Sequence, residues 1–263
     1  MKFIFNIMKF VFSSILATVC TAVFLTTGML HAKSSTEAPA SSVDANALQA
    51  LQQMSSFLSK SKAFIYHTRT ISEVPAKNGQ MLTLVSKAVV TMARPNKLHI
   101  HATGEAPHFD FYYDGAVAVA YGPANQVYST IKAPPTLDAM LPALEQQTGI
   151  RFATAGLLYS NPYAMFSKGL TSGMVVGASV INGVPCQHLA FKSKGVNWEI
   201  WIATGARPFP LRIAFTYTGE PNRPHTLVEF TEWDMYPWIG GRQFVFHAPA
   251  GSKEVPFSAL LKK

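Results

Sequence analysis

The sequence predicts a mainly β fold, in which about a dozen short strands form one wide antiparallel sheet. Apolar and polar residues alternate in many segments; in Leu211–Thr218, for example, Leu211, Ile213 and Phe215 share one side. This period of two is typical of a strand with one buried face. Few helical segments are available to cover that face, so an open, strongly curved sheet with helices on its concave side is favoured over a closed barrel. An apolar trough that the helices do not fill is a candidate binding site.

The N-terminus has the features of an export signal. Two lysines precede an uncharged stretch from Phe10 to Leu30, and the candidate cleavage points follow Gly28 and Ala32, of which the second has Leu30, a poor fit, at −3. Residues 1–32 are therefore predicted to be a signal peptide. The alternative is an uncleaved anchor, because the apolar stretch is long enough to span a bilayer. We expect a periplasmic body in either case, tethered to the inner membrane if the leader is retained.

The first half of the body is predicted to be one helix followed by six strands. Residues 33–43 read as a flexible linker, and Asp44 is an N-cap for a helix to about Lys60 whose apolar stripe includes Leu51. The predicted strands are residues 62–74, 80–93, 97–103, 108–113, 116–121 and 126–131. Asn78-Gly79 and Asp114-Gly115 are typical turn sequences between them.

A helical insert separates this half from a second run of strands. Thr136 caps a segment that extends to Gln147, and Gly149 ends it. Shorter helical turns are predicted at 153–159 and 162–167. The second run of strands is predicted at residues 172–181, 184–193, 196–204, 210–218, 225–235 and 243–247. No linker divides the halves, so residues 44–257 are predicted to form a single domain, with a C-terminal tail at 258–263.

The composition indicates a globular protein and excludes several classes. Hydrophobic residues make up 48% and charged residues 14% of the 263 residues, a balance that disordered and polytopic membrane proteins do not have. The net charge is +8, but the basic residues are scattered singly and no nucleic-acid-binding motif occurs, so nucleic acid is excluded as a partner. Cleavage of the leader would remove Cys20 and leave Cys186 alone, without a disulfide.

His99-x-His101, with His108 and Asp110 nearby, is the best candidate for a metal site. Two histidines at i and i+2 of a strand point the same way, which suits ligation. Their side of the strand, however, is opposite the apolar residues, and a catalytic metal requires a recessed, dry site. The pattern therefore favours solvated surface histidines, and we predict no metal and no cofactor.

Cys186-x-His188 and the tryptophans Trp198 and Trp201 are the remaining candidates for chemistry. A cysteine beside a histidine suggests a nucleophile and its base, but nothing in the sequence supplies an orienting group or an oxyanion donor. The two tryptophans lie three residues apart and so fall on opposite faces of a strand, with Trp198 on the apolar side. No nucleophile elbow, phosphate loop or dinucleotide fingerprint occurs. We therefore predict that the protein is not an enzyme.

Several segments resemble domain-of-unknown-function family 2092, a family of predicted periplasmic proteins. The matching segments are Ala47–Met54 (ALQALQQM), Arg94–Leu98 (RPNKL), Tyr112–Gly115 (YYDG), Gly183–Phe191 (GVPCQHLAF), Asn197–Ile202 (NWEIWI), Arg207–Pro210 (RPFP) and Pro249–Gly251 (PAG). They occur in the family's order over roughly residues 44–257. The sequence departs from the family pattern in having Asn197 and Glu199 where Asp and Gln are expected.

That family is similar in pattern to the periplasmic lipoprotein carriers of the LolA-like superfamily. The resemblance implies a curved half-barrel of about eleven antiparallel strands with helices closing it over an apolar cavity. It implies no catalytic residues. The arginine that latches the lid of the carriers has no matching position in this sequence.

The leading hypothesis is a periplasmic carrier or sensor that binds a lipid, a lipoprotein acyl chain or another apolar ligand. The alternatives are a structural or interaction module of an envelope complex with a self-plugged cavity, and a hydrolase that depends on a metal or on Cys186 and His188. We expect a monomer and leave open an envelope protein partner and transient contact with a membrane surface. Strand parity and the helical stripes give the cavity walls and the lid: Leu51, Val117, Val119, Met140, Leu189, Phe191, Trp198, Ile200, Ile213 and Phe215.

Overall fold

The computed structural model describes residues 43–105 and 108–260, in which one sheet of 12 strands dominates. The predicted leader (1–32) and all but the last residue of the predicted linker (33–43) lie outside the described residues. The strands are β1 (Ala63–Pro75), β2 (Met81–Ala93), β3 (Lys97–Gly104), β4 (Phe109–Tyr113), β5 (Val117–Gly122), β6 (Val127–Lys132), β7 (Leu170–Ile181), β8 (Val184–Ser193), β9 (Val196–Ala203), β10 (Pro210–Thr216), β11 (His225–Asp234) and β12 (Lys253–Glu254).

The strand order is β12-β6-β5-β4-β3-β2-β1-β11-β10-β9-β8-β7. Strands β1 to β6 form one meander and β7 to β11 form a second, and the two join where β1 pairs antiparallel with β11. All neighbours are antiparallel except β12, which pairs parallel with β6. The prediction of an open, curved antiparallel sheet with a few helices is confirmed.

The two longer helices begin and end within about one residue of the predicted positions. Helix α1 (Ala45–Lys60) begins after Asp44, whose carboxylate accepts a hydrogen bond of 2.7 Å from the backbone N–H of Asn46. Helix α2 (Leu137–Thr148) begins after Thr136 and ends at Gly149, which has the left-handed φ of 72° that favours glycine. Two shorter helices are α3 (Pro162–Ser167) and α4 (Phe257–Leu260), and single 3-10 turns occur at Pro123–Asn125, Ala155–Leu157 and Gly241–Phe244.

The predicted strand at 243–247 is wrong. This segment begins with the 3-10 turn Gly241–Phe244 and continues without regular structure. Its aromatic residues gave the appearance of a strand, but they are held by ring contacts and not by a backbone ladder. Phe244 is buried, and the ring of Phe246 lies 5.1–5.5 Å from those of Tyr112, Tyr121 and Tyr128. The last strand is β12 instead, a short segment that the sequence does not predict.

The sheet has an inner face, covered by helices, and an outer face. Residues that are directly opposite each other on antiparallel neighbours point to the same side. The register therefore puts Tyr66, Val90 and Ile100 together on the inner face. Most of the hydrophobic core lies between this face and the helices. A smaller cluster of Ile181, Cys186, Ala203 and Leu211 lies on the outer face, at the start of β8 and the end of β9.

The segment that leads into α1 is tied to the edge strand β7 at Gly173. The backbone N–H of Asp44 donates to the carbonyl of Gly173 at 2.9 Å, and Val43 forms a parallel bridge with the same glycine. A Cβ at Gly173 would lie 2.5 Å from the Phe191 ring and 2.8 Å from Val43. Only a residue without a side chain allows this close approach.

We expect Gly173→Ala to lower the free energy of unfolding by roughly 1–3 kcal/mol, because Phe191 and Val43 must shift to admit the methyl group. The measurement is chemical denaturation followed by tryptophan fluorescence. Gly122→Ala is the matched control, since the nearest atoms to its Cβ are at 3.8 Å and its φ is −106°. Equal stabilities of the two variants would contradict this account of α1 docking.

Candidate functional site

The inner face presents one apolar band across strands β8 to β11. Ile200 on β9 lies directly opposite Leu189 on β8 and Ile213 on β10, and Ile213 lies opposite Val228 on β11. All four side chains are at most 1% exposed. No polar side chain interrupts this row, so its surface offers dispersion contacts and nothing for hydrogen bonding.

An aromatic stack continues the band toward α3. The rings of Phe191 and Trp198 are stacked at 4.4 Å, and Phe166 of α3 packs on Trp198 at 5.5 Å. Phe215 lies directly opposite Trp198 on the neighbouring strand and is partly buried against the same cluster. Trp198 is therefore held between the sheet and a helix.

A second aromatic group lies on the inner face of β1 and β11. Tyr66 packs against Phe230 at 5.4 Å and against Trp233 at 4.9 Å. Its hydroxyl forms a hydrogen bond of 2.7 Å with the hydroxyl of Thr154, which belongs to the helical insert. Burial raises the pKa of Tyr66 well above its usual value, so the phenol stays neutral and acts as a hydrogen-bonding group.

The helices that face this surface form a helical cover, which we define as α1 together with residues 136–167. Leu51, Met54 and Leu58 of α1 are completely buried, and Met140 and Leu144 of α2 are 1% exposed. These side chains belong to the same cluster as the sheet residues beneath them. The cover therefore occupies the inner face through apolar contacts.

A few polar contacts tie the helical cover and the segment just before α2 to the sheet, at the β2–β3 turn and at the end of β4. The guanidinium of Arg94 donates from Nη1 to the carbonyl of Leu158 at 3.0 Å. The backbone N–H of Leu137 donates to the carbonyl of Pro95 at 2.8 Å, and the hydroxyl of Tyr113 donates to the carbonyl of Pro134. Burial raises the pKa of Tyr113 to about 12, so this phenol too remains a neutral donor.

Arg94 keeps unused hydrogen-bonding capacity at this place. Its Nε and Nη2 are buried and have no hydrogen-bond partner among the described residues. The negative charge of Asp138 acts on it electrostatically, but this carboxylate accepts hydrogen bonds from the backbone N–H and the hydroxyl of Ser160. Burial lowers the pKa of Arg94, but a guanidinium remains protonated near neutral pH. An acceptor with negative charge would satisfy the two free donors.

Eight of the ten predicted wall and lid residues lie in the inner cluster or against it: Leu51, Met140, Leu189, Phe191, Trp198, Ile200, Ile213 and Phe215. The structure brings them together from α1, α2 and strands β8 to β10. Arg94 is the residue that the sequence analysis missed. In the sequence, Arg94 is only the first residue of the segment Arg94–Leu98, next to a proline in a turn. No neighbouring residue indicates which group its guanidinium contacts.

Val117 and Val119 are placed on the wrong face by the sequence analysis. In β5 the inner residues are Ala118 and Ala120, because Tyr113 of β4 lies directly opposite Ala118. In the segment Val-Ala-Val-Ala, the larger side chains of the valines made them the expected inner residues. The rings of β4 fill the inner space, however, so the small alanines fit beside these rings. Both valines lie on the outer face.

The outer face carries the other tryptophan. Trp201 stacks on the ring of His188 at 4.0 Å, and the guanidinium of Arg212 lies 5.4 Å from its centre. The Nε2 of His188 is 2.7 Å from a carboxylate oxygen of Glu199. The prediction that Trp198 and Trp201 lie on opposite faces is confirmed.

Cys186 and His188 do not form a nucleophile with its base. Cys186 is 1% exposed, and burial raises the pKa of its thiol, although a hydrogen bond with Ser179 opposes this. A buried, neutral thiol is a poor nucleophile. The Nε2 of His188 is engaged by Glu199 instead of the sulfur.

The His99-x-His101 pair lies on the outer face, as parity predicts, but it is not a pair of separately solvated side chains. His101 Nδ1 is 2.6 Å from Asp110 Oδ1, and the side chains of His99 and Asp110 are 24% and 12% exposed. The register explains the difference, since β4 places Asp110 directly opposite His101.

Residues 47–258 match the family of predicted periplasmic proteins DUF2092. No curated protein sequence matches the chain. No helix within residues 43–105 and 108–260 has both the length and the apolar character needed to cross a bilayer.

Several solved structures have a shape similar to that of this chain. An uncharacterized conserved protein from Thermus thermophilus is 12% identical in sequence, with a TM-score of 0.46. The match covers 80% of this chain and 99% of the Thermus thermophilus chain. The Mycobacterium tuberculosis lipoprotein LppX is 14% identical, with a TM-score of 0.43 over 74% and 98%. A LolA superfamily protein from Nitrosomonas europaea is 9% identical, with a TM-score of 0.39 over 76% and 97%. Likenesses this distant assign neither ligand nor activity.

Because the two valines lie on different faces, replacing each by alanine should change the free energy of unfolding by different amounts. We expect Val228→Ala, on the inner face, to lower the free energy of unfolding by about 2–3 kcal/mol, because it leaves a cavity in the cluster. Val117→Ala, on the outer face and only half-buried, should cost about 1 kcal/mol or less. Denaturant titration measures both. A larger loss for Val117→Ala would mean that the face assignment of β5 is incorrect.

Burial of Cys186 predicts a protected thiol. In protein carrying Cys20→Ser, we expect alkylation by iodoacetamide at pH 8 to be at least about a hundredfold slower in the folded than in the unfolded state, since both thiolate formation and access are suppressed. Intact-mass measurement against time reports the rate. Rapid labelling of the folded protein would restore Cys186 as a candidate nucleophile.

Proposed function

The chain belongs to DUF2092, a family of predicted periplasmic proteins, and we propose that it works in the periplasm as a non-enzymatic carrier or sensor of a lipid-like molecule. The ligand is an amphiphile with an acyl chain and an acidic group. It binds between the inner face and the helical cover.

The observation that carries this proposal is the combination of Arg94 with the apolar band. An apolar surface alone would suit any hydrophobic molecule, and a lone buried cation is costly unless it is paired. Arg94 lies at one end of the covered face with two free donors. A carboxylate or phosphate there would satisfy these donors while its hydrocarbon chain extends under the cover.

Burial of the acyl chain is the largest favourable contribution to binding, and it must offset the apolar contacts that the helical cover loses when it opens. Each buried methylene contributes about 0.8 kcal/mol. A chain of 14 carbons therefore offers on the order of 11 kcal/mol before the cost of ordering it. Leu189, Phe191, Trp198, Ile200, Ile213 and Phe215 are the proposed walls of the acyl-chain site.

Binding requires the helical cover to move, because its own side chains bury the inner face. Leu51 and Met140 are the proposed lid residues, since they occupy this face now. An entering acyl chain would take over the apolar contacts that these side chains lose. The exchange is therefore close to balanced in buried apolar area, and the polar ties at the β2–β3 turn decide how readily the cover opens.

The same tight cover favours a second candidate function. Side chains that are at most 1% exposed under α1 and α2 also suit an interaction module of an envelope complex, whose inner face stays permanently filled. A hydrolase that uses Cys186 is not favoured, because its thiol is buried with a raised pKa.

Lipid analysis of the protein separates the carrier from the module. The protein is purified without denaturant from its own cell envelope, and lipids are extracted and identified by mass spectrometry. We expect an acidic lipid at close to one molecule per chain and, after delipidation, saturable binding of a fluorescent fatty acid. A folded protein that carries no lipid and binds no fatty acid would support the interaction module.

If Arg94 binds the acidic group, its replacement should affect the affinity for charged and for neutral ligands differently. We expect Arg94→Met to weaken binding of palmitate about tenfold or more relative to binding of hexadecanol, because only the acid loses a charged hydrogen bond, whereas loss of the contact with Leu158 acts on both ligands alike. Displacement of a fluorescent fatty acid measures both affinities. Arg69→Met is the control, since Arg69 is half-exposed on the outer face and paired with Glu229. Equal losses for acid and alcohol would contradict the role of Arg94.

A further inference from the structure

Three histidines and one aspartate converge on the outer face, on the side of the sheet opposite the helical cover. His99 and His101 lie on β3, Asp110 lies on β4, and His108 immediately precedes β4. The register places Asp110 directly opposite His101 and Tyr112 opposite His99. Two pairs with i, i+2 spacing on neighbouring strands thus bring four ligand groups to one place.

The distances within this cluster are close to those of a tetrahedral metal site. One ligand atom from each of His101, His108 and Asp110 lies within 4.8 Å of the other two. Asp110 Oδ1 is 2.6 Å from His101 Nδ1 and 4.0 Å from His99 Nε2. Ligand atoms around Zn²⁺ at bonds of about 2.0–2.2 Å are separated by roughly 3.4 Å. Adjustments of about 1 Å would therefore bring His101, His108 and Asp110 to metal-binding distances, and rotation of the exposed imidazoles supplies them, while His99 lies beside Asp110 as the fourth ligand.

Part of the cluster is fixed and part is free to adjust. His99 stacks on Tyr112 at 4.5 Å, and its Nε2 is buried without a hydrogen-bond partner among the described residues. The Asp110 side chain is 12% exposed. His101 and His108 are the more accessible members, and their rings meet edge to face at 5.6 Å. A buried imidazole nitrogen without a partner is costly, and a metal ion would satisfy it.

We propose that His99, His101, His108 and Asp110 bind one divalent transition-metal ion of the kind that prefers imidazole, for which Zn²⁺ is the probe. Three imidazoles and one carboxylate suit Zn²⁺, Cu²⁺ or Ni²⁺, whereas Mg²⁺ and Ca²⁺ prefer oxygen ligands. The ion replaces the hydrogen bond between His101 and Asp110. Four protein ligands leave no open position, so the site is closed and acts by joining β3 to β4.

This site is independent of the proposed lipid function. Its residues point away from the inner face, and neither Arg94 nor the apolar band contributes to it. Metal binding and lipid binding can therefore each fail without affecting the other. Because the ion binds the folded state, it also raises the midpoint of thermal unfolding.

The test is isothermal titration calorimetry of metal-free protein from which any histidine tag has been removed. We expect one Zn²⁺ per chain and a higher Tm with Zn²⁺ but not with Mg²⁺. His101→Ala and His108→Gln should each weaken Zn²⁺ binding at least about tenfold and abolish the rise in Tm. His67→Ala is the matched control: His67 lies on β1, where its Nδ1 is 3.5 Å from Glu232, and its replacement should leave Zn²⁺ binding unchanged.

The proposal is overturned if the wild-type protein shows no saturable Zn²⁺ binding, or if His101→Ala and His108→Gln both retain wild-type affinity. Replacing His101 removes its contact with Asp110 and could disturb the sheet. His108 is exposed, so we expect His108→Gln to fold in either case. Circular dichroism of each metal-free variant confirms the fold before titration.

Discussion

The fold depends on burying one wide apolar face of a sheet that does not close on itself. Twelve strands present their inner side chains in continuous rows, and an open sheet cannot cover such a row with its own strands. Helix α1 and the insert at residues 136–167 supply the missing layer. Three features meet this requirement. They are the apolar stripe of α1, the position of Gly173, which lets the N-terminus of α1 approach β7, and the insertion of α2 between the two meanders.

How that layer is attached explains why the inner face is a candidate binding surface. Apolar contacts between the cover and the sheet do not depend on direction, so an acyl chain can replace them at little cost. The directional contacts include those at the β2–β3 turn, where Arg94 and Pro95 hold residues of the insert, and the hydrogen bond between Tyr66 and Thr154. The site that binds a charged group and the site that holds the cover closed therefore share Arg94, which couples ligand binding to opening.

Much of this architecture could be predicted from the sequence, because alternation and capping are local signals. The boundaries of α1 and α2 followed from Asp44, Thr136 and Gly149, and the opposite faces of Trp198 and Trp201 followed from parity. Parity alone, however, does not say which of two apolar sides is inner, and the large rings of β4 decided this against Val117 and Val119. The contacts of Arg94 and the convergence of His101 with Asp110 join residues on different elements, so only the folded chain reveals them.

The most direct test of the central claim is where a bound ligand lies. A fatty acid with a diazirine near its methyl end is bound to the delipidated protein and photolysed, and the labelled peptides are mapped by mass spectrometry. The account predicts saturable labelling of peptides from β8 to β10 and from α1, competed by unlabelled palmitate. Labelling confined to residues of the outer face, or labelling that does not saturate, would contradict it.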